Sequence, residues 1–270
     1  MRQKISLALL FLALTGTANG TPAHSPWPGG IGLIRIDGDA RPVVTVAGQR
    51  ALVLADEDGW IAVIGIPLDQ DAASPLEIDI VAPGAAARTL TIDLGKADYR
   101  VQRLNVDRKY VDLEEEALAR VLAEREVIDS ALTNWRDQEQ PDLDLDIPVP
   151  GRRSSSFGSR RVFNDQPRSP HKGMDIAAVT GTPVLAPAAG VVTATGDFYF
   201  NGNTVILDHG QGFVSLYCHL SEIAVDQGAT IGAGDELGKV GATGRVTGAH
   251  LHFATYLNGT AVDPALLLAE

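Results

Sequence analysis

"PHKGMDIAA", residues 170–178, sets a histidine, His171, four residues ahead of an acid, Asp175, with Gly173 between them. Two metal-capable side chains at this spacing are useful only if the backbone brings them together. On a straight strand they would stand about 13 Å apart, whereas two ligands of one ion need donor atoms within roughly 4 Å of each other. A helix would put both on one face. However, Pro170 opens the segment, Gly173 interrupts it, and "DIAAVTGTP" follows without helical periodicity. What remains is a bend at Gly173 that lets His171 and Asp175 converge.

Working outward, the chain beyond Pro148 is rich in glycine, valine and threonine. "TPVLAPAAGVVTATG", "NTVILDHG", "FVSLYCHL" and "HLHFATYL" read as strands separated by turns, so this region is β-rich. Five of the six histidines lie in it. In "HLH", His250 and His252 are two apart on a strand and share a face, about 6 to 7 Å apart at the backbone. His219 follows a strand-like run in "LYCHL". A catalytic zinc takes three protein ligands and keeps one position open for water. His171, Asp175 and one histidine of the 250/252 pair fill that count, leaving His219 and the other histidine for proton transfer and charge stabilisation. His209, in "LDHG" at a strand end, reads as a turn or supporting residue, and His24 as a residue without a role. Cys218 adjoins His219, but neighbours on a strand point to opposite faces, which argues against a Cys–His nucleophile.

The 270 residues are 45% hydrophobic, enough for one large core or two modest ones. Residues 1–20 read as a signal peptide: Arg2 and Lys4 precede the apolar run Ile5 to Leu14, and small residues follow at Ala18 and Gly20. That run is about ten residues, too short for a membrane span, so no span is expected after cleavage. Loss of Arg2 and Lys4 moves the formal charge from −12 to −14. So acidic a chain argues against nucleic acid as a partner and offers no general attraction to an acidic wall polymer. The single cysteine excludes an internal disulfide.

From Ile31 to about Val106, short alternating runs such as "PVVTV", "WIAVIGI", "LEIDIV" and "RVQRLNV" recur at intervals of about ten residues, the pattern of a small antiparallel β sandwich at 27–106. The period then changes. Leu118, Val121, Leu122, Ile128, Leu132 and Trp135 recur at helical spacing within 112–135, with Asp112 as a cap and Glu115 as its capping-box partner. The charged face of this helix reads as solvated surface. "DQEQPDLDLDIPVPG" carries five acids and three prolines, which suits an extended connector. Helix and connector occupy 107–147, and the histidine-bearing domain 148–270. The fold class is therefore mainly β: an N-terminal sandwich, one connecting helix and a C-terminal antiparallel domain.

The motifs "SSFGSRR", "SPHKGMDIAA", "GTPVLAPAAGVV", "NGNTVILDHGQGFVSLYCHLSEI" and "GDELGKVGATGRVTGAHLHFATYLNG" together resemble the catalytic domain of the lysostaphin/LytM-type zinc endopeptidases, over about residues 150 to 267. The resemblance implies an enzyme with one zinc ion that cuts peptide cross-links of peptidoglycan. It implies His171, Asp175 and His252 as zinc ligands and His219 and His250 as catalytic residues, resolving the choice within "HLH". The upstream strands and charged helix resemble exported members with an N-terminal immunoglobulin-like domain, which implies the periplasm or cell envelope of a Gram-negative bacterium. Some members lack the zinc ligands and activate other wall hydrolases. That non-catalytic role, with a regulatory protein partner, is the alternative, although all five positions are intact here. A third possibility is an enzyme whose N-terminal region covers the groove. "YFNGN" lies where members of the family vary, so the resemblance leaves the bond cleaved open.

Overall fold

Alternation decides the first layer. In a computed structural model that describes residues 20–104, 115–138, 140–163, 166–167 and 169–269, seven strands precede residue 93. They are β1 (Ile31–Asp37), β2 (Val43–Val46), β3 (Gln49–Arg50), β4 (Leu52–Asp56), β5 (Gly59–Gly65), β6 (Leu76–Val81) and β7 (Arg88–Ile92). They form two antiparallel sheets, β1-β5-β4 and β3-β2-β6-β7. In β6, Leu76, Ile78 and Ile80 point inward while Glu77, Asp79 and Val81 face water, as "LEIDIV" implies. The inward residues of both sheets, including Ile36, Val44, Val53 and Ile64, make one core. The sandwich expected from the sequence is present.

The next strand departs from expectation. β8 (Val101–Leu104), counted with the sandwich on its alternation, pairs instead in parallel with β10 (Arg160–Phe163), reached after helix α1 (Glu115–Leu132) and β9 (Arg152–Ser155). Alternation shows that a strand has two faces; it does not say which sheet will accept it.

Helix α1 has 18 residues and lies within the expected span 112–135. Its burial differs from the spacing argument: Ala131 and Leu132 are buried, but Leu118 and Leu122 are exposed. Its charged side is not simply solvated either. Arg120 donates to the Asp197 carbonyl oxygen at 2.9 Å, and Glu124 accepts from the Tyr199 N–H at 2.7 Å. Asp112 and residues 1–19 lie outside the described residues. No helix among the described residues is long and apolar enough to cross a membrane.

The connector is extended, as its prolines imply, but it is docked. Leu143 and Leu145 are buried while Asp142, Asp144 and Asp146 face outward, and Leu145 bonds with Leu267 and Ala269.

The remaining strands are β11 (Gln166–Pro167), β12 (Met174–Ala177), β13 (Pro183–Leu185), β14 (Gly190–Phe198), β15 (Gly202–Gly210), β16 (Phe213–Leu220), β17 (Glu222–Ile223), β18 (Thr230–Ile231), β19 (Glu236–Lys239), β20 (Leu251–Leu257) and β21 (Thr260–Val262). The main sheet runs β18-β14-β15-β16-β20-β12-β9, with β21 on β20, and a small sheet, β13-β19-β17, stands beside it. One face of the main sheet, carrying Met174, Ile176, Leu251 and Phe253, joins the largest core. The other, carrying Ala194, Ile206, Leu216 and Ala254, packs against Ala131 and Leu132 of α1.

The largest core also contains Ile31, Leu52 and Val63 of the sandwich. Two turn residues reinforce that junction. Gln211 (φ 52°), between β15 and β16, accepts from the Val53 N–H at 2.9 Å. Asn258 (φ 44°), between β20 and β21, accepts from the Gly65 N–H at 2.7 Å and donates to the Gly65 carbonyl at 3.2 Å.

Candidate metal centre

Strand alternation places the site. Met174 and Ile176 are buried in the large core, so Asp175 between them projects from the opposite face; Leu251 and Phe253 do the same for His252. β12 and β20 are antiparallel neighbours, and Asp175 stands directly across from His252. Their side chains meet, with His252 Nδ1 3.0 Å from Asp175 Oδ1.

His171 joins them from the bend before β12. Its Nε2 is 3.1 Å from Asp175 Oδ1 and 3.0 Å from His252 Nδ1. Gly173 matters here for a reason other than the one the sequence suggested. Its φ lies outside the left-handed region, so conformational freedom is not what requires glycine. A Cβ there would lie 2.5 Å from the Phe253 carbonyl oxygen and 2.8 Å from His252 Cε1. The glycine lets β12 approach β20 closely enough for the three side chains to meet.

His219 reaches the same face through a bulge. Between the pairs Val205↔Tyr217 and Asn203↔Leu220, β16 carries one residue more than β15, and His219 adopts φ 66°. Its ring lies 4.9 Å from that of His250 and 6.0 Å from that of His252. His250 Nε2 is 3.7 Å from Asp175 Oδ1. All five residues singled out from the sequence therefore gather in one place.

Backbone carbonyls fix three of the rings. His171 Nδ1 donates to the Ser156 carbonyl at 3.1 Å, His219 Nδ1 to that of Thr243 at 3.0 Å, and His250 Nδ1 to that of Gly248 at 2.8 Å. Carbonyl oxygens only accept, so each Nδ1 carries the hydrogen and each Nε2 is left with a lone pair while its ring is neutral. Thr243 is itself pinned, donating to the Leu220 carbonyl at 2.8 Å and accepting from the Asn203 N–H at 2.9 Å. Sequence reasoning missed Ser156, Thr243 and Gly248, because a backbone carbonyl carries no residue-type signal.

A wall supports the His171 side. The Gly158 N–H donates to the His171 carbonyl at 2.8 Å, and the His171 N–H to that of Ser159 at 2.9 Å. Tyr99 lies against Gly158 so tightly that a Cβ there would sit 2.1 Å from its ring, and it meets Phe157 edge-on at 6.1 Å. The Tyr99 hydroxyl donates to the Pro28 carbonyl at 2.6 Å. The segment that follows the sandwich thus buttresses the loop holding His171.

Charge follows burial. Burial alone would raise the Asp175 carboxyl, but the adjoining His171 and His252 imidazoles outweigh it and hold the group well below the usual carboxylate range. Burial lowers the His252 imidazole. Burial first, then the neighbouring His252 and His250, lowers His219 to about 4 against the pull of its bond to Thr243, so it is neutral at pH 7.

The donor set fits a metal ion. Two ring nitrogens and a carboxylate oxygen converge at 3.0 to 3.1 Å, close to the roughly 3.3 Å expected of ligands sharing a tetrahedral zinc at about 2.0 to 2.1 Å. Without a cation, their lone pairs would face one another.

The other candidates fall outside the cluster. Cys218 is buried, its thiol pushed up to about 12 by burial, so it is not a nucleophile. His209 is a buried supporting residue that donates from Nδ1 to the Ala189 carbonyl at 2.8 Å and accepts at Nε2 from Ser215 at 2.7 Å. His24, expected to have no role, accepts from the Leu33 N–H at 2.9 Å and so braces the start of the sandwich.

Residues 169–264 match the profile of peptidase family M23, and residues 24–94 that of the family M23 N-terminal domain. The peptidoglycan DD-endopeptidase ShyA of Vibrio cholerae is 41% identical over 113 residues, covering 42% of this chain and 26% of that protein. The DD-carboxypeptidase/endopeptidase Mpg of Neisseria meningitidis is 42% identical over 127 residues, covering 47% of this chain and 29% of that protein. The chain thus spans less than a third of the length of either relative. A crystal structure of a Pseudomonas aeruginosa protein assigned to peptidase M23 superposes with a TM-score of 0.75 and 36% identity, covering 90% of this chain and 95% of that one.

Proposed function

The chain belongs to peptidase family M23, and from that premise we propose that it is an exported, zinc-dependent endopeptidase hydrolysing peptide cross-links of bacterial peptidoglycan. The observation that carries this reading is the convergence of His171 Nε2, Asp175 Oδ1 and His252 Nδ1 beside two further histidines. Those three atoms would hold the ion, and when bound it would polarise the scissile carbonyl and lower the pKa of a water molecule towards 7.

His219 and His250 supply the acid–base chemistry. With both Nδ1 atoms committed to carbonyls, each Nε2 accepts a proton while the ring is neutral and donates only after gaining one. One ring takes the proton of the attacking water, and the resulting cation supports charge on the tetrahedral oxygen and returns the proton to the leaving amine. Residues 1–20 serve as the export signal, and the site of action is the cell envelope of a Gram-negative bacterium.

The test is incubation of the full chain with isolated peptidoglycan, with and without a zinc chelator, and identification of released muropeptides by mass spectrometry. Chelator-sensitive loss of cross-linked dimers is expected. A folded, zinc-loaded chain that releases nothing overturns the reading in favour of a non-catalytic activator.

A further inference from the structure

Residues 151–173 contain six lysines and arginines against one acid, Asp165. This stretch carries a formal +5, so the rest of a chain whose total is −12 carries −17. The fold adds to the concentration. β8 lies parallel to β10, with Val101 opposite Arg160 and Arg103 opposite Val162, and the Arg160 N–H donates to the Arg100 carbonyl at 2.8 Å. Arg100 and Arg103 thus join the same edge from the segment that follows the sandwich.

This edge borders the metal centre. Lys172 follows His171 directly, Arg160 follows the Ser159 whose carbonyl holds the His171 N–H, and in β9 Arg153 stands opposite Ile176 and Ser155 opposite Asp175. Several cations elsewhere are matched to acids, as in Arg35–Asp56 at 3.2 Å, Arg136–Asp208 at 3.3 Å and Lys239–Glu222 at 2.7 Å. By contrast Arg100, Arg103, Arg152, Arg153, Arg160 and Lys172 are all exposed, and none forms an ion pair with another described residue. The described acids nearby include Asp175 of the metal centre, opposite Ser155; Asp98, exposed just before Tyr99; and Asp263, which feels the charge of Arg153, is half-buried and caps the Ala265 N–H at 3.0 Å.

We propose that this basic rim is the docking surface for the carboxylates of peptidoglycan stem peptides, a role that rests on the peptidase reading above. Guanidinium groups accept carboxylates in bidentate geometry, and a positive edge on an otherwise anionic protein steers an anionic ligand to that edge and away from every other face. The overall acidity of the chain therefore conceals a local attraction for the wall polymer and orients its approach. Peptide carboxylates are favoured over anionic lipid because the rim adjoins the groups that would act on the peptide.

The test compares the full chain with Arg100→Gln/Arg103→Gln/Arg160→Gln and, on a different strand, Arg152→Gln/Arg153→Gln. Steady-state kinetics are read on a soluble cross-linked muropeptide with free carboxylates and on the same compound after amidation. KM is expected to rise at least tenfold in each variant with kcat within twofold, and the parent's KM on the amidated compound is expected to rise as far. Unchanged KM in both variants, or indifference to amidation, overturns the proposal. So does loss of binding to phosphatidylglycerol vesicles with muropeptide KM unchanged, which would assign the rim to a membrane. Calorimetric binding of the free and amidated muropeptides reads the rim without turnover. An inactive chain that still prefers free carboxylates would fault the peptidase reading and leave the rim standing.

Discussion

Replacing Gly173 with alanine probes the claim that strand approach, more than any single ligand, assembles the metal centre. The new Cβ would lie 2.5 Å from the Phe253 carbonyl oxygen, 2.8 Å from His252 Cε1 and 2.9 Å from Ala254 Cβ. Restoring an ordinary carbon–oxygen contact of about 3.3 Å requires β12 and β20 to part by about 0.8 Å. The obstructing oxygen is backbone within a paired strand, so it cannot swing aside as a side-chain tip would. The displacement falls next to the Asp175↔His252 pair, whose ligand atoms are 3.0 Å apart, while metal–ligand distances tolerate only about ±0.2 Å. Overpacking of this kind costs about 1 to 3 kcal/mol in the metal-free protein. The expected loss of zinc affinity is on the order of 100-fold, or about 2.7 kcal/mol. Competition against a chromophoric chelator reads the affinity, and thermal melts with and without zinc read the stabilisation that binding adds, which should shrink by a similar amount. An alanine variant that binds zinc within threefold of the parent would refute the reasoning.

Other substitutions divide the site by role. Asp175→Ala should abolish stoichiometric zinc, whereas His219→Ala should retain zinc and lose cleavage; metal analysis alongside turnover checks both. Tyr99→Ala should weaken zinc binding about 10- to 100-fold by loosening the loop that orients His171, while Tyr99→Phe, which keeps the ring on Gly158, should lose far less. His209 is lowered to about 4 by burial, against about 6.5 in the unfolded chain, so the unfolded state binds the proton more readily between those values. Stability should be full above pH 6.5 and fall by about 3 kcal/mol as the pH drops to 4. Urea titrations of the parent and His209→Gln at pH 7 and 4.5 should show that component missing from the variant.

Much of this architecture was legible because it rests on short-range pattern. Alternation in "LEIDIV" gave a sandwich strand its two faces, and alternation in "HLH" put His250 and His252 on one face. The features that escaped depend on partners far away in sequence. Leu118 and Leu122 have helical spacing, yet α1 buries only its C-terminal end, because the sheet beneath offers its apolar face there. "DLDLD" alternates as a strand does, but its acids and prolines outweighed the two leucines that the core claims. His219 sits at a bulge, where the two-residue period fails, so no reading by strand parity could fix its direction. Net charge was the least informative quantity of all, since the paired cations and the exposed rim enter the same sum.

The junction built by Gln211 and Asn258 bears on how the molecule comes apart. Because Ile31, Leu52 and Val63 belong to the same core as Phe213, Leu257 and Val262, the sandwich cannot melt without exposing the interior of its neighbour. Heating should therefore yield one calorimetric transition in place of two. For the same reason, a fragment cut at residue 148 is a wounded protein, its raw apolar side open to aggregation, and a sandwich borrowed from a relative would have to bring the matching surface with it.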